Sequence, residues 1–267
     1  MVLFKKNMRW LQVIIGVLLT LYLGACATLY KKQNEMLYHP TEVTPSNQKA
    51  SVAWQRDGQT LRITQIVRMG DQAIIYFGGN AEDVLHTAKK LAQVFPERSI
   101  YALNYRGYSG STGEPSEQAL VGDAVALFDK IHETQTHVQV MGRSLGSGVA
   151  VQLAHARPVE RLVLVTPYDS IVSVAHDHFP YFPMSILVKD KYRSVRYAPD
   201  IKIPVTLLVA GNDTLIPPNH AVQLAQKFPP ESVKVIMFEM AEHNSISREP
   251  DFWPQVAKAF ENRNPHQ

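Results

Sequence analysis

The sequence has a single cysteine, Cys26, so no internal disulfide is possible. It also has little net charge. The formal charge is +3, and Lys5, Lys6 and Arg9 alone supply three positive charges. A chain cleaved after residue 25 is near neutral and offers no electrostatic footprint for nucleic acid. Internal repeats and low-complexity segments are absent. Gly107, Gly110 and Gly113 recur every three residues after a strand. Their spacing is neither the dinucleotide fingerprint nor a Walker A loop, which excludes a phosphate cradle. His176-Asp177-His178 has no further His or Glu cluster nearby to complete a metal site, and it reads as a solvated loop. What is present is globular: 267 residues, 45% hydrophobic and 19% charged. That suits one large domain or two small ones.

The first residues form a separate unit. Met1 to Arg9 carries three cations and no acid, Leu11 to Leu23 is almost wholly apolar, and Leu23-Gly24-Ala25-Cys26 follows. A basic stretch, an apolar stretch and a small-residue site make a secretory signal. The apolar run of about 13 residues is short for a membrane span. Leu-Gly-Ala-Cys resembles the lipobox of bacterial lipoproteins, in which the cysteine is diacylated and becomes the mature N-terminus. By that resemblance Ala27, standing where an inner-membrane protein has Asp, points to the periplasmic face of the outer membrane. The alternative is an uncleaved inner-membrane anchor from Trp10 to about Tyr30. Either way the body is expected outside the cytoplasm and tethered, through lipidated Cys26 or through the anchor helix.

The rest of the chain alternates between two periods. Lys31 to Gln59 is polar and turn-rich and reads as a linker into an edge hairpin. Leu61 to Arg68 alternates apolar and polar residues, as a half-exposed strand does. Buried strands are expected at 73–77, 99–105, 137–141, 162–166, 205–210 and 233–238. Helices are expected at 82–95, 116–132, 144–156, 217–228 and 250–260. Continuous apolar strands alternating with helices make a mostly parallel sheet covered on both faces. The alternation breaks at Ile171 to Ile201, which contains Phe179-Pro180-Tyr181-Phe182-Pro183-Met184. This stretch is expected to form a small cap over the C-terminal edge of the sheet, where ligands of open α/β sheets bind.

The chemistry centres on Val138 to Ala150, a strand and a helix joined by Gly142-Arg143-Ser144-Leu145-Gly146. This G-x-S-x-G pattern is a nucleophile elbow, a tight turn that exposes the serine hydroxyl. A serine needs a base to take its proton. In the α/β-hydrolases, whose elbow this pattern resembles, an acid and then a histidine follow in chain order, and the places to look are just beyond the strand ends. Asp213 follows the strand ending at Ala210, and His243 follows the one ending at Phe238. Asp169 is the rival acid. His220 and His266 sit on a helix and at the C-terminus, poor places for the base. The oxyanion needs N–H donors, assigned to Leu145 and to Asn80 in Gly78-Gly79-Asn80-Ala81.

These residues carry a resemblance to the α/β-hydrolase superfamily over about residues 60–260, in particular to its small membrane-tethered abhydrolase-domain serine hydrolases. The resembling pieces are Tyr76-Phe77-Gly78-Gly79-Asn80-Ala81, Asn104 to Gly110, Gly142 to Gly148, and Gly211 to Pro217. Gly78 stands where the family usually has His. The resemblance implies cleavage of acyl esters or thioesters with no metal or cofactor. The expected division is a signal segment at 1–25, a linker and edge at 26–59, and a hydrolase domain at 60–263 with its cap at about 171–201. The expected activity is ester hydrolysis by Ser144, Asp213 and His243. The alternatives are a thioesterase or peptidase, or a lipoprotein that binds lipid or protein without catalysis.

Overall fold

Strands that are apolar at every position need cover on both faces, and the chain supplies it. The computed structural model describes residues 2–261. His266 and the last two residues of the expected hydrolase domain lie outside the described residues. Eight strands form one sheet: β1 (Ser51–Arg56), β2 (Gln59–Ile66), β3 (Gln72–Phe77), β4 (Ser99–Asn104), β5 (His137–Arg143), β6 (Leu162–Val165), β7 (Val205–Ala210) and β8 (Val233–Phe238). Their order is β1-β2-β4-β3-β5-β6-β7-β8. The hairpin β1–β2 and the pair β2–β4 are antiparallel, and all other pairs are parallel. The hairpin turns through Asp57-Gly58, both at positive φ (49° and 71°), the backbone that matches strand twist in two-residue loops. This is the mostly parallel, helix-covered α/β sheet expected from the sequence.

Among the described residues ten helices accompany it: α1 (Val2–Leu37), α2 (Pro45–Ala50), α3 (Val84–Val94), α4 (Glu117–His132), α5 (Leu145–Ala156), α6 (Ile171–His178), α7 (Met184–Leu187), α8 (Ser194–Tyr197), α9 (Pro218–Ala225) and α10 (Phe252–Glu261). Val84, Leu91, Phe252, Val256 and Phe260 of α3 and α10 pack with Ile74 and Tyr76 on one face of the sheet. Leu120, Leu127, Val149, Leu153 and Leu224 of α4, α5 and α9 pack with Ile75 and Phe77 on the other. Because strand side chains alternate, β3 feeds both cores.

Two expectations change. The polar stretch from Lys31 predicts a linker, yet α1 runs unbroken to Leu37. The polar letters of Lys31-Lys32-Gln33-Asn34-Glu35 hid a face that continues Ala25, Cys26 and Leu29 to Gln33 and Leu37, all half-buried against the body. The apolar run is also longer than it read. Trp10–Leu37 contains a window of mean hydropathy 2.1, long enough to cross a membrane by length and composition. The interruption at 171–201 is a cap of three short helices, α6, α7 and α8, with a 3₁₀ turn at Ala198–Asp200.

The elbow depends on one close approach. A Cβ on Gly146 would lie 2.2 Å from the Phe77 carbonyl oxygen and 2.6 Å from that of Gly78. Both are backbone of β3 and its loop, which cannot move aside as a side chain can. Gly146→Ala is therefore expected to lose about 2–3 kcal/mol of stability, read as a lower denaturant midpoint with unchanged slope.

Candidate active site

Ser144 sits between β5 and α5 at φ 50° and ψ −120°, a left-handed conformation costly for a residue with a Cβ. Its amide donates to the Val165 carbonyl at 2.9 Å, and its carbonyl accepts from the Ser147 amide at 2.8 Å. The side chain has no capping role and is left free. The turn thus holds Oγ outward, at the C-terminal end of the parallel strands.

The later loops bring two partners to it. His243 Nε2 lies 2.9 Å from Ser144 Oγ, and His243 Nδ1 lies 2.7 Å from Asp213 Oδ2. Asp213 Oδ1 accepts the amides of Leu215 (2.9 Å) and Ile216 (2.8 Å). Those two bonds fix the carboxylate plane and turn Oδ2 toward the imidazole. With the Nδ1 proton on the Asp213 side, Nε2 is the acceptor for the Ser144 hydroxyl. An imidazole so placed can take that proton. All three residues are buried. The His243 carbonyl accepts from Arg143 Nη2 at 3.4 Å, tying the histidine loop to the elbow.

The rival acid lies elsewhere. Asp169 Oδ1 accepts from His220 Nδ1 at 2.8 Å and from the Ser173 hydroxyl at 2.6 Å. His220 Nε2 reaches Asp177 of α6 at 3.1 Å. The histidine that read as a poor base is therefore a buried strut between α9 and the cap. The His176-Asp177-His178 triplet is divided between neighbours, since His178 Nε2 donates to the Leu215 carbonyl at 2.9 Å. Burial opposes the charge of His220, but Asp169 and Asp177 together raise its pKa. Burial likewise pushes the Asp169 carboxyl up, but bonds from His220 and Ser173 hold it below its ordinary value. The His220 contribution is full below 6.5, its ordinary value, and fades as pH rises toward the raised one. The Asp169 contribution is full above 3.8 and is lost only below that. The melting-temperature gap between the parent and His220→Gln should therefore be widest from about pH 4 to 6.5 and narrow at higher pH. A gap that widens with pH would contradict this account.

The loop after β3 lies against the elbow. A Cβ on Gly79 would be 3.5 Å from Ser144 Cβ. The Gly79 amide is taken, donating to Glu82 Oε2 at 2.8 Å. The amides of Asn80 and Leu145 have no backbone partner among the described residues. Three groups brace the loop. Tyr105 OH donates to the Gly78 carbonyl at 2.8 Å. Tyr108 OH and the His39 amide both donate to Asn80 Oδ1, at 2.9 and 2.7 Å. Glu82 also accepts from Tyr76 OH and Thr87 Oγ1, each at 2.7 Å. The sequence showed these tyrosines only as part of a family-like motif. Their hydroxyls meet the loop because β4 pairs directly with β3, which no local pattern reveals. The one signal for Glu82 was its place three residues after Gly79.

Above Ser144 is an apolar cavity of about 230 Å³. Its lining includes Ser144, Leu145 and Asn80, cap residues such as Val174, Phe179 and Met184, and Leu29, Met36 and Leu37 of α1.

A helix-covered parallel sheet with a strained serine elbow and a Ser–His–Asp row at its C-terminal edge defines an α/β-hydrolase. Residues 109–266 match the model of the dienelactone hydrolase family, and the chain belongs to this family of hydrolases. An uncharacterized protein of Mycobacterium tuberculosis is 30% identical over 228 residues, covering 79% of this chain and 80% of that protein. The lysophosphatidylserine lipase ABHD12 of Xenopus tropicalis is 30% identical over 138 residues, 44% of this chain and 36% of that protein. Among solved structures, the Pyrococcus furiosus esterase Pf2001 has the same fold, with TM-score 0.66 and 17% identity over 84% of this chain and 98% of that one.

Proposed function

We propose that this hydrolase cleaves carboxylic esters through Ser144, His243 and Asp213. The observation that carries the reading is the unbroken row from Ser144 Oγ to His243 to Asp213, at 2.9 and 2.7 Å. His243 Nε2 takes the Ser144 proton as Oγ attacks the acyl carbon. The Leu145 and Asn80 amides receive the oxyanion. His243 then gives its proton to the leaving alkoxide, and an acyl-Ser144 remains. Water, deprotonated by the same nitrogen, releases the acid and regenerates Ser144. Asp213 holds the imidazole in the required tautomer and stabilises the imidazolium. The apolar cavity over Ser144 favours an ester with an apolar acyl group, and similarity to the lysophosphatidylserine lipase ABHD12 makes lipid esters the first substrates to try. A fluorophosphonate probe should label the parent and not Ser144→Ala; equal labelling of both would overturn the assignment. A matched ester, thioester and amide panel separates the esterase from a thioesterase or peptidase. Lipid binding without turnover of any of them would mark a binding protein on a hydrolase scaffold.

For the tether, we propose cleavage before Cys26 and its acylation, with the body held at the periplasmic face of the outer membrane. The alternative is the intact anchor helix in the inner membrane. Mass spectrometry of the N-terminus separates them: acylated Cys26 supports the first, and an intact Met1 supports the second.

A further inference from the structure

The upper part of α1 is exposed. Its described side chains from Trp10 to Leu23 are exposed, with Trp10 at 62% and Leu21 at 66%. From Ala25 onward one face is covered by the body. Two clamps hold it there. In the uncleaved chain Tyr22 stacks on Phe182 with ring centres 5.5 Å apart and donates its hydroxyl to the Tyr181 carbonyl at 2.9 Å. About three turns further on, Gln33 accepts from the Lys189 amide at 2.7 Å and donates to the Leu187 carbonyl at 3.1 Å. Those polar atoms of Gln33 are engaged by cap backbone, so its stem adds apolar wall beside Leu29, Met36 and Leu37. The cap tip around the first clamp is apolar and open: Tyr181 is 85% exposed and Ile186 76%. Large apolar side chains presented beside a lipid-seeking helix fit the membrane interface better than water.

We infer that α1 is part of the substrate site. Its turns from Leu29 to Leu37 form one wall of a pocket for a single acyl chain, and that chain enters from the bilayer to which α1 is tethered. The inference rests on Ser144 as the nucleophile. The pocket takes one chain because about 230 Å³ lies below the roughly 300–1,000 Å³ of ordinary small-molecule sites. The bilayer is the source because of distance. Leu29 is three residues past Cys26, about 5 Å along the helix, so an acylated Cys26 and a spanning helix both set the pocket at the lipid surface. The tether therefore does more than restrain the enzyme. It closes the acyl pocket, and its side chains set the chain length accepted.

The test uses the full chain in phosphatidylcholine vesicles with 4-nitrophenyl esters of two to sixteen carbons. Leu29→Trp should lower the ratio of long-chain to short-chain kcat/KM at least tenfold. Met36→Ala should move the optimum to longer chains. Glu35→Gln, on the exposed face of α1 and away from the cavity, should keep the parent profile within twofold. Pocket variants that keep the parent profile would overturn the wall. A folding failure of Leu29→Trp leaves Met36→Ala to decide. For bilayer entry, a long-chain ester is placed either in the protein's own vesicles or in separate ones. At least tenfold faster turnover in shared vesicles is expected, and equal rates would overturn entry from the bilayer. Ser144→Ala in the same assay isolates the underlying reading: retained turnover removes the nucleophile assignment, whatever the chain-length profile shows.

Discussion

Ser144→Ala should lower kcat for ester hydrolysis by about 10⁴-fold or more, with Tm held within a few degrees. The alanine keeps the backbone and removes only Oγ, so the amide bonds that hold the elbow remain: Ser144 N–H to Val165 and Ser147 N–H to the residue 144 carbonyl. The residual rate would come from the Leu145 and Asn80 amides and the pocket. His243→Ala should fall to about the same level, because a serine without a base and a base without a serine fail at the same step. A double variant should be little worse than either single one. Additive losses would mean that the two residues act separately, against the 2.9 Å contact between them.

The second large effect separates the two aspartates. Asp213→Asn should cost about 10⁴-fold in kcat by analogy with the serine-protease template. The reason is a proton. An amide whose NH₂ faces Nδ1 would donate where the carboxylate accepted, which moves the imidazole proton to Nε2. That nitrogen would then have no lone pair for Ser144. Asp169→Asn should behave otherwise, lowering Tm while kcat stays within a few-fold, because Asp169 meets His220 and Ser173 and not His243. Steady-state kinetics and thermal melts on the two variants decide it. A larger kcat loss for Asp169→Asn would overturn the choice of acid.

Much of the site was legible before any coordinates. A G-x-S-x-G after an apolar strand, Asp213 after β7 and His243 after β8 can be read because a parallel sheet places the ends of successive strands at one edge. The strand spans at 205–210 and 233–238 agree with β7 and β8 residue for residue. Harder were elements whose meaning lies in what they touch. His220 read as an ordinary helical histidine, and only the approach of α6 to α9 makes it a strut. Tyr105 and Tyr108 read as motif letters, and only strand pairing aims them at the loop after β3. Gln33 reads as linker, because its partners Leu187 and Lys189 lie about 150 residues away.

By itself the sequence determined the fold class, the elbow, the order of serine, acid and histidine, and the presence of an apolar N-terminal stretch. Those features are local or follow from periodicity, which one chain displays in its own letters. Tertiary structure decided which aspartate meets His243, what braces Asn80, and that α1 walls the cavity over Ser144. Each of these is a contact between distant segments, set by strand order and cap packing.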